Sequence, residues 1–404
     1  MHKNIWIINQ YTGTPYYGMN YRSYYLAKEF VKSGNKVTIF SGSYSHLFVH
    51  LPKIKGWFTK EIIDEIDFIW IKTPHYTSAK SFGRIWNMLV FMFRLFFLNI
   101  FTFQKPDIII VSSLSLFPVL NAYIWSKIFK IECIFEVRDI WPLTLVEIGG
   151  ISKYHPLVIL LGWIEKLGYK KAKYVVSVLP NAKEHMILKG MDKNKFIHIP
   201  NGILLDEVQN YDDISDETSA LLPRNKFIVG YVGTIGIANA MEYLFESANL
   251  LKANKTIHFV IVGHGGQLSR FKQYCNKQQL SNVTFIDTIP KRQVQSILKL
   301  FDICYLGWHK RKIYNYGISA NKLFDYMYSG KPILHSISID NDIVSKLKCG
   351  VQVNAEDSLA IKDAIIYFSS LDKKALQKMG QNAKNYVIKY HDYNILAKRY
   401  MEIM

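Results

Sequence analysis

Hydrophobic residues fall into short continuous runs that alternate with segments of helical length along almost the whole chain. The runs are rich in β-branched and aromatic residues, which is typical of buried strands. They are IWIIN, KVTIFSG, FIWIK, DIIIVSS, IECIFEV and YVVSV in the first half, and FIVGYVG, HFVIVG, VTFID, ICYLGW and PILHS in the second. Two such sets predict an α/β protein of two doubly wound, Rossmann-like domains with parallel sheets. We expect them to face each other across a cleft, with ligands at the carboxyl ends of the strands.

The length of 404 residues also suits two domains better than one. The acidic, polar stretch YDDISDETSALLPRN follows HIPNGILLDEV and has the composition of a linker. We therefore place an N-terminal domain at 1–203 and a C-terminal domain at 204–385. The remaining residues, 386–404, are predicted to form a C-terminal helix that either stays with the second domain or crosses back onto the first.

A formal net charge of +18 implies an anionic partner, which is a nucleic acid, an acidic membrane surface or a phosphorylated substrate. No nucleic-acid-binding motif is recognisable and the cations are dispersed, so no specific nucleic acid is expected. A general polyanion-binding protein stays as an alternative. The four cysteines are far apart, so neither a metal cluster nor a disulfide is predicted. The chain starts with a strand-like run rather than a signal peptide, which favours the cytoplasm.

One very hydrophobic segment, residues 81–103, approaches transmembrane length. Arg94 in its middle makes a true span costly. At about 100° per residue, Lys80, Arg84, Asn87 and Arg94 share an arc of roughly 80°, a narrow polar stripe. The segment is either a crossover helix buried against the sheet or a helix in the membrane interface with its cations toward the headgroups. In the second case the membrane-contacting residues are Arg84, Phe91, Phe93, Arg94 and Phe97.

The segment 317–334, GISANKLFDYMYSGKPIL, predicts a loop, a helix and a Gly-Lys-Pro turn into a strand. Free amides at the helix start, with Lys322 beside them, suit a phosphorylated ligand. Asp325 lies one turn after Asn321, where a carboxylate can accept hydrogen bonds from ribose hydroxyls. This layout predicts a nucleotide-sugar diphosphate bound by Ser319, Ala320, Asn321, Lys322 and Asp325.

Glycines in other loops at strand ends allow the backbone to approach a ligand closely. Gly233 and Gly236 of GYVGTIG either admit the diphosphate toward a helix start or only connect a strand to a helix. Gly13 and Gly18 follow the first strand and belong either to an acceptor loop or to a structural turn. Two cations further on face either a phosphate or base of the donor, or the solvent: Lys291 and Arg292.

The run FEVRDIWP places Glu136, Arg138 and Asp139 at the end of an apolar strand, where ligand sites of α/β sheets form. We do not expect such a charged triplet in the core. Either Arg138 and Asp139 form a structural ion pair, or Arg138 positions Asp139 against the acceptor or the reacting sugar. We prefer the second interpretation, which makes Arg138 and Asp139 acceptor-binding and Asp139 catalytic.

No metal site is predicted. His264 and His309 lack carboxylate or cysteine partners at ligand spacing. Asp340 and Asp342 form a DxD-like pair, which holds a divalent metal in many sugar transferases. Because the pair stands at the start of a predicted helix, capping is the preferred interpretation.

With these motifs in place, the chain resembles a retaining glycosyltransferase of family 4 with the two-Rossmann GT-B fold. It is most similar to the bacterial branch that builds O-antigen and capsule units, the N-acetyl-L-fucosamine transferase-like proteins. The resemblance covers nearly all of the chain, and RDIWP, IPNGI, GYVGTIG and GISANKLFDYMYSGKPIL carry it in the expected order and spacing.

Within this resemblance the chain departs from the family at two places. Relatives usually carry two glutamates eight positions apart; Asp325 stands at the second position, but Gly317 stands at the first, where the family often contacts the sugar. Many relatives also place an Arg and a Lys after the first strand of the second domain to hold the diphosphate. This chain has Thr234 and Ala240 there. We infer that Lys322 supplies the charge instead, helped by Arg292 or the cations at 310–312.

The resemblance implies a metal-independent reaction without cofactor and with net retention, the donor on the second domain and the acceptor on the first. The leaving diphosphate is neutralised by the amides of 319–321 and by Lys322, because charge develops there as the glycosidic bond breaks. Lys322 is therefore a catalytic candidate. The acceptor hydroxyl attacks from the same face. The family's histidine in the first domain is not evident, and Asp139 occupies comparable space.

The favoured function is transfer of an N-acetylated hexose or 6-deoxyhexose from a UDP-sugar to a polyprenyl-diphosphate-linked saccharide, in O-antigen or capsule synthesis. The positive charge and the hydrophobic segment fit a peripheral enzyme on the anionic inner face of the bacterial plasma membrane. The alternative is a GT-B epimerase of UDP-N-acetylhexosamine, which is disfavoured because it needs no membrane contact.

Overall fold

The structure is a computed structural model, which describes residues 2–18, 20–77, 81–113 and 115–404. They form two compact units. The first unit contains Met1–Asn201, Tyr316–Ser319 and Tyr393–Met404, and the second contains Gly202–Asn315 and Ala320–Asp392. The first unit therefore takes residues from three stretches of the chain, including its last helix.

Each predicted hydrophobic run coincides with a strand, and three strands, β3, β8 and β14, were not predicted. The strands are β1 (Asn4–Ile8), β2 (Lys36–Gly42), β3 (Phe58–Ile63), β4 (Ile66–Ile71), β5 (Ile108–Ser112), β6 (Glu132–Val137), β7 (Tyr174–Ser177), β8 (Phe196–His198), β9 (Phe227–Val232), β10 (Ile257–Val262), β11 (Val283–Ile286), β12 (Ile303–Gly307), β13 (Ile333–Ser336) and β14 (Gly350–Val353).

Helices connect most of the strands. They are α1 (Arg22–Lys32), α2 (Phe82–Phe97), α3 (Pro118–Phe129), α4 (Leu143–Glu147), α5 (Pro156–Lys171), α6 (Lys183–Leu188), α7 (Leu205–Gln209), α8 (Asp216–Ala220), α9 (Met241–Leu250), α10 (Leu268–Lys277), α11 (Val294–Lys299), α12 (Asn321–Ser329), α13 (Ile343–Lys346), α14 (Ser358–Ser370), α15 (Lys373–Tyr390) and α16 (Tyr393–Met401).

The first unit is built on an eight-stranded sheet in the order β3-β4-β2-β1-β5-β6-β7-β8. Neighbouring strands are parallel except β3 and β4, which are antiparallel. This corrects the expectation of a wholly parallel sheet. Asp64 and Glu65 join the pair with φ of +48° and +61°, as in the two-residue turns that close a hairpin. As an edge strand β3 alternates exposed and partly buried residues, so it makes no continuous hydrophobic run.

The second unit is a six-stranded parallel sheet in the order β11-β10-β9-β12-β13-β14. One face packs against α9, α10 and α14, and the other packs against α11, α12 and α15. The four inner strands, β9, β10, β12 and β13, are buried on both sides, which explains their continuous hydrophobic runs. The predicted architecture of two doubly wound parallel-sheet units is confirmed.

The hydrophobic segment 81–103 forms a shorter helix than its sequence predicts. α2 ends at Phe97, and the next residue, Leu98, is extended. None of the helices in the described ranges is long and apolar enough to cross a membrane.

The predicted polar stripe of α2 faces the protein. Asn87 is fully buried and accepts a hydrogen bond from the side chain of Gln10 (2.6 Å). Arg94 donates to a backbone carbonyl and lies over the ring of Trp57, 5.2 Å from its centroid. Lys80, counted in the same stripe, lies outside the described residues. The stripe does not point its cations outward, and this corrects that part of the interfacial interpretation.

The phenylalanines assigned to membrane contact separate into two groups. Phe91 is 0% exposed and belongs to the core under the sheet, so its assignment was wrong. Phe93 and Phe97 are 51% and 71% exposed. Residues 91 and 93 lie about 200° apart around a helix, which is why only one of them is buried. The outer surface of α2 is therefore apolar, as is much of its buried side.

Candidate functional site

The start of α12 has the form that the sequence predicts for a phosphate site. Ala320 is the N-cap residue, and no side chain caps the helix there. First-turn amides without a side-chain cap are donors that a ligand can use. Gly330, with φ of +71°, ends the helix and leads into β13. The predicted order of loop, helix, turn and strand is confirmed.

Lys322 places its ammonium group at the carboxyl end of β9. Its Nζ donates to the hydroxyl of Tyr231 (2.7 Å) and to Oδ1 of Asn239 (2.6 Å), and it lies over the Tyr231 ring. Burial lowers the pKa of Lys322 from 10.5 to about 7, because no carboxylate compensates the charge. A lysine in this state gains its full charge when an anion binds beside it.

The loop after β9 passes close to this ammonium group. A Cβ on Gly233 would stand 3.3 Å from Cε and Nζ of Lys322. Because glycine has no side chain, the loop backbone can lie this close to the amine. A Cβ on Gly236 would be in ordinary contact with the side chains of Thr234 (3.6 Å) and Asn239 (4.0 Å). Thr234 and Ala240, where relatives are expected to carry cations, belong to this same loop. The side chain of Lys322, which extends from α12, thus lies beside the loop in which relatives are expected to carry these cations.

Asp325 forms an ion pair with Lys291, whose role could not be decided from the sequence. Its Oδ1 lies 2.5 Å from Nζ of Lys291, and its side chain is largely buried. Arg292 turns away and forms an exposed ion pair with Asp212 (2.9 Å). Of the two cations before α11, Lys291 therefore stands in the neighbourhood of Asp325.

Gly317 and Ser319 belong to the first unit. Gly317 has φ of +104°, and a Cβ there would overlap Pro180, so this backbone does not accommodate the glutamate of the family pattern. The Ser319 hydroxyl accepts a hydrogen bond from the backbone amide of Asn201 (2.9 Å). Both residues shape the loop that precedes α12.

His309 has carboxylate partners in the structure that lie far from it in sequence. Its Nδ1 lies 2.9 Å from Glu356, and its Nε2 lies 3.8 Å from Glu242. Burial opposes ionisation of Glu356, but the Lys310 amide and His309 outweigh it and lower the pKa of that carboxyl. These residues are 47 and 67 positions from His309 in sequence, so spacing could not reveal them.

Asp342 is committed to structure, as its position at a helix start predicts. It caps α13 by accepting from the Ser345 amide (3.3 Å), and its other oxygen lies 2.8 Å from Nδ1 of the buried His335. Within the described part of the chain, no three His, Cys, Asp or Glu side chains are grouped so that they could hold a metal ion.

In the first unit, Asp139 uses both carboxylate oxygens within its own loop. Oδ1 accepts from the Thr144 hydroxyl (2.6 Å), and Oδ2 accepts from the Trp141 indole (3.2 Å). Burial raises its pKa against these hydrogen bonds. This geometry suits a residue that positions the RDIWP loop. The described ion pairs do not include one between Arg138 and Asp139.

Glu136 lies in the core, contrary to the expectation for this triplet. It forms a buried ion pair with Arg22 (2.8 Å) and accepts from the hydroxyl of Tyr400 on α16. Burial opposes its charge, but Arg22 and Arg138 lower the pKa of the carboxyl overall. Nothing in the local sequence marks Arg22 or Tyr400 as partners of this strand.

Arg138 is the remaining charged group beside the Arg22–Glu136 ion pair. Its Nε and Nη1 are buried and have no hydrogen-bond partner among the described residues. Since Glu136 is already paired with Arg22, one positive charge remains at the carboxyl end of β6. Burial lowers the pKa of Arg138, and the shared Glu136 carboxylate raises it by less.

Three segments of the first unit meet beside the RDIWP loop. Arg84 at the start of α2 lies over the rings of Tyr11 and Trp141, at 5.5 and 5.8 Å. Gly13 is buried in the same N-terminal loop as Tyr11. Gly18, with φ of +129°, packs against the backbone of residues 47–49 and serves a turn. Arg84 therefore belongs to this site and not to the outer surface of α2.

Comparison with protein families assigns both halves of the chain. Residues 16–207 match the model described as Glycosyltransferase Family 4, and residues 213–386 match the model of Glycosyl transferases group 1. Its two domains are glycosyltransferase domains. The enzyme class predicted from the sequence is thus confirmed at the level of the domain families.

A curated relative of these glycosyltransferase domains is the putative colanic acid biosynthesis glycosyl transferase WcaI of Escherichia coli (strain K12), 26% identical over 215 residues. The match covers 51% of this chain and 52% of the relative, so it spans about half the length of each.

Solved structures of similar fold cover the whole chain. HepE of Anabaena, in complex with UDP and glucose, is 12% identical with a TM-score of 0.68, covering 99% of both chains. Sucrose-phosphate synthase of Thermosynechococcus elongatus is 15% identical with a TM-score of 0.74, covering 100% of this chain and 98% of that one. WaaG, a glycosyltransferase involved in lipopolysaccharide biosynthesis, is 12% identical with a TM-score of 0.67, covering 99% of both. The predicted GT-B fold is confirmed.

Proposed function

We propose that the chain is a retaining, metal-independent glycosyltransferase of surface polysaccharide biosynthesis. It transfers a sugar from a UDP-sugar to a polyprenyl-diphosphate-linked saccharide, as a peripheral enzyme on the inner face of the bacterial plasma membrane. The N-acetylated hexose or 6-deoxyhexose expected as the donor sugar rests on the resemblance to N-acetyl-L-fucosamine transferase-like proteins. Crystal structures of HepE in complex with UDP-glucose and with UDP support a UDP-linked donor.

The observation that carries the proposal is the position of the Lys322 ammonium group. It lies between the loop after β9 and the start of α12, where no side chain caps the first-turn amides. Its partners Tyr231 and Asn239 are uncharged, so a diphosphate is the missing counterion. In this role Lys322 neutralises the leaving group without a metal ion.

The reaction exchanges one bond to the anomeric carbon for another. The bond from that carbon to the β-phosphate oxygen breaks, and a bond to the acceptor oxygen forms on the same face. The acceptor hydroxyl proton passes to the departing phosphate. Lys322 and the amides of Ala320 and Asn321 stabilise the negative charge that grows on the diphosphate, which is the largest contribution such a site makes.

The acceptor is assigned to the first unit because a cation with unbonded side-chain donors lies there. Arg138 carries its charge at the carboxyl end of β6, and an acceptor with a diphosphate supplies hydrogen-bond acceptors for Nε and Nη1. Asp139 acts indirectly, because its hydrogen bonds position the RDIWP loop. The exposed Phe93 and Phe97 support contact with a membrane that presents such an acceptor.

Calorimetric titration with UDP and several UDP-sugars, with and without EDTA, tests the donor assignment. We expect binding that EDTA leaves unchanged and that falls roughly 10- to 100-fold in Lys322→Met, because charge-assisted hydrogen bonds are lost. Lys331→Met, in the turn after α12, is the matched control and should bind like the parent. Binding that requires a divalent ion, or an equal loss in both variants, would overturn the assignment.

A further inference from the structure

Helices α2, α3 and α5 form one layer on the first unit. Each follows a strand and leads to another further along the sheet in the same direction, from β4 to β5, β5 to β6 and β6 to β7. Right-handed crossovers in the same direction place their helices on the same face. The side chain of Asn121 on α3 bonds to the carbonyl of Met92 on α2 (3.1 Å), which fixes these two side by side.

The outward side of this layer is apolar. Its large exposed side chains include Trp86, Phe93, Phe97, Ile124, Ile128 and Trp163. Among the described residues, every exposed Trp and Phe lies in the first unit. Large apolar patches on a protein surface mark contact with a partner or a membrane.

A cavity of 510 Å³ opens between the ends of α3 and α5, at the amino ends of β6 and β7. Among the described residues, its lining contains five lysines and one acidic residue, Glu132. Glu132 pairs with one of the five, Lys173. A second, Lys195, donates to the carbonyls of Lys170 (2.9 Å) and Ala172 (2.8 Å). The other three are Lys127, Lys130 and Lys171. The lining carries four positive charges in excess, at the end of the sheet opposite the Arg138 site.

The apolar surface and the cavity are neighbours on α3. Successive residues of a helix lie about 100° apart, so Ile124 and Ile128 stand next to Lys127 on its outward side. The isoleucine side of α3 is the side that carries Asn121 and faces α2. Tyr123 and Lys130 lie at the other edge of the outward surface of α3 and line the cavity, with Lys127 between them and the isoleucines. Apolar residues and lysines thus form one continuous surface, in the arrangement of an interfacial helix.

We propose that the lysine cavity binds the phosphate of an anionic phospholipid headgroup while the neighbouring apolar side chains enter the membrane interface. The proposal deepens the peripheral location given under the proposed function and rests on it. A soluble phosphate would satisfy the lysines but would leave the adjoining Ile124, Ile128, Phe93 and Phe97 in water. A lipid satisfies both.

Vesicle co-sedimentation tests this with the full chain. Vesicles of phosphatidylcholine alone are compared with vesicles that also contain phosphatidylglycerol. We expect Lys127→Gln/Lys130→Gln/Lys171→Gln to bind the anionic vesicles on the order of 100-fold more weakly, from about fivefold for each lysine near an anionic surface. All three lysines are exposed, so the variant keeps its core.

A charge-matched control separates a site from general attraction. Lys373→Gln/Lys374→Gln/Lys378→Gln removes three exposed lysines from α15 of the second unit. This variant should keep most of its vesicle binding. Equal losses in both triple variants, or none in the first, would overturn the proposal.

Two further measurements exclude the other occupants. Inorganic phosphate that binds the parent tightly at the cavity, with vesicle binding unaffected by the lysine changes, would assign the cavity to a soluble anion. A dimer that Phe93→Ser/Phe97→Ser converts to monomer, at unchanged vesicle binding, would assign the apolar surface to a second copy. UDP titration of the cavity variant should match the parent, which separates failure here from failure of the donor assignment.

Discussion

The lowered pKa of Lys322 predicts that donor affinity falls as the pH rises. With a pKa of about 7, the amine is about 90% charged at pH 6 and about 1% charged at pH 9. If the charged amine holds the diphosphate, affinity is present below pH 7 and is lost above it. The loss approaches tenfold per pH unit, about 90-fold between pH 6 and pH 9, or about 2.7 kcal/mol.

Titration calorimetry of a UDP-sugar over this range is the assay. A UDP-sugar is preferable to UDP because its diphosphate keeps the same charge throughout. Repeating the titration near pH 7 in buffers of different ionisation enthalpy should reveal proton uptake on binding, since the bound anion raises the pKa of Lys322 again.

Lys322→Arg is the control, because a guanidinium stays charged up to pH 9. Its affinity should be lower at pH 6, where the geometry is no longer ideal, but should change little with pH. A flat profile for the parent would refute the reasoning, because an ordinary lysine remains charged over this whole range.

Three further predictions concern other residues. Arg138→Met should abolish most transfer activity while leaving UDP affinity unchanged, because it removes the cation assigned to the acceptor; normal transfer activity in this variant would contradict this. Gly317→Glu should destabilise the fold by about 1–3 kcal/mol in denaturant titration, from its φ of +104° and the overlap with Pro180; unchanged stability would show that the loop adapts. Asp342→Ala should lower the free energy of unfolding by about 1–3 kcal/mol through the lost cap and the unpaired His335, with donor binding unchanged. Activity that depends on a divalent ion in the parent but not in this variant would instead make Asp342 a metal ligand.

The fold was predictable because its signals are local. Strands that are buried on both faces must be continuous hydrophobic runs. The segments between them are only long enough for one crossover helix each. β3 escaped prediction because an edge strand is half exposed and its residues alternate. α2 was misjudged for a related reason: polar Asn87 is buried against the loop after β1, on the same side of the helix as core residues, while Phe93 and Phe97 face outward. Periodicity identifies two sides of a helix but does not tell which one is inside.

The site was predictable only in part because its contacts are distant in sequence. The segment around Lys322 carries the signal of a phosphate site by itself. Its partners Tyr231 and Asn239 are 91 and 83 positions away, and no residue pattern connects them. The same holds for Lys291, which pairs with Asp325 across 34 positions. Charge could show that such cations exist, but only the packing of the helices shows which of them meet a carboxylate.

The central claim is that a sugar passes from a nucleotide donor to a lipid-linked acceptor without a metal ion. The direct measurement supplies a UDP-sugar with a radiolabelled sugar and a polyprenyl-diphosphate-linked saccharide in the presence of EDTA, and follows label into the lipid-extractable fraction. We predict transfer in EDTA with release of UDP, and its loss in Lys322→Met but not in Lys331→Met. Label that stays in the aqueous phase as an epimerised UDP-sugar, with no need for acceptor, would contradict the account.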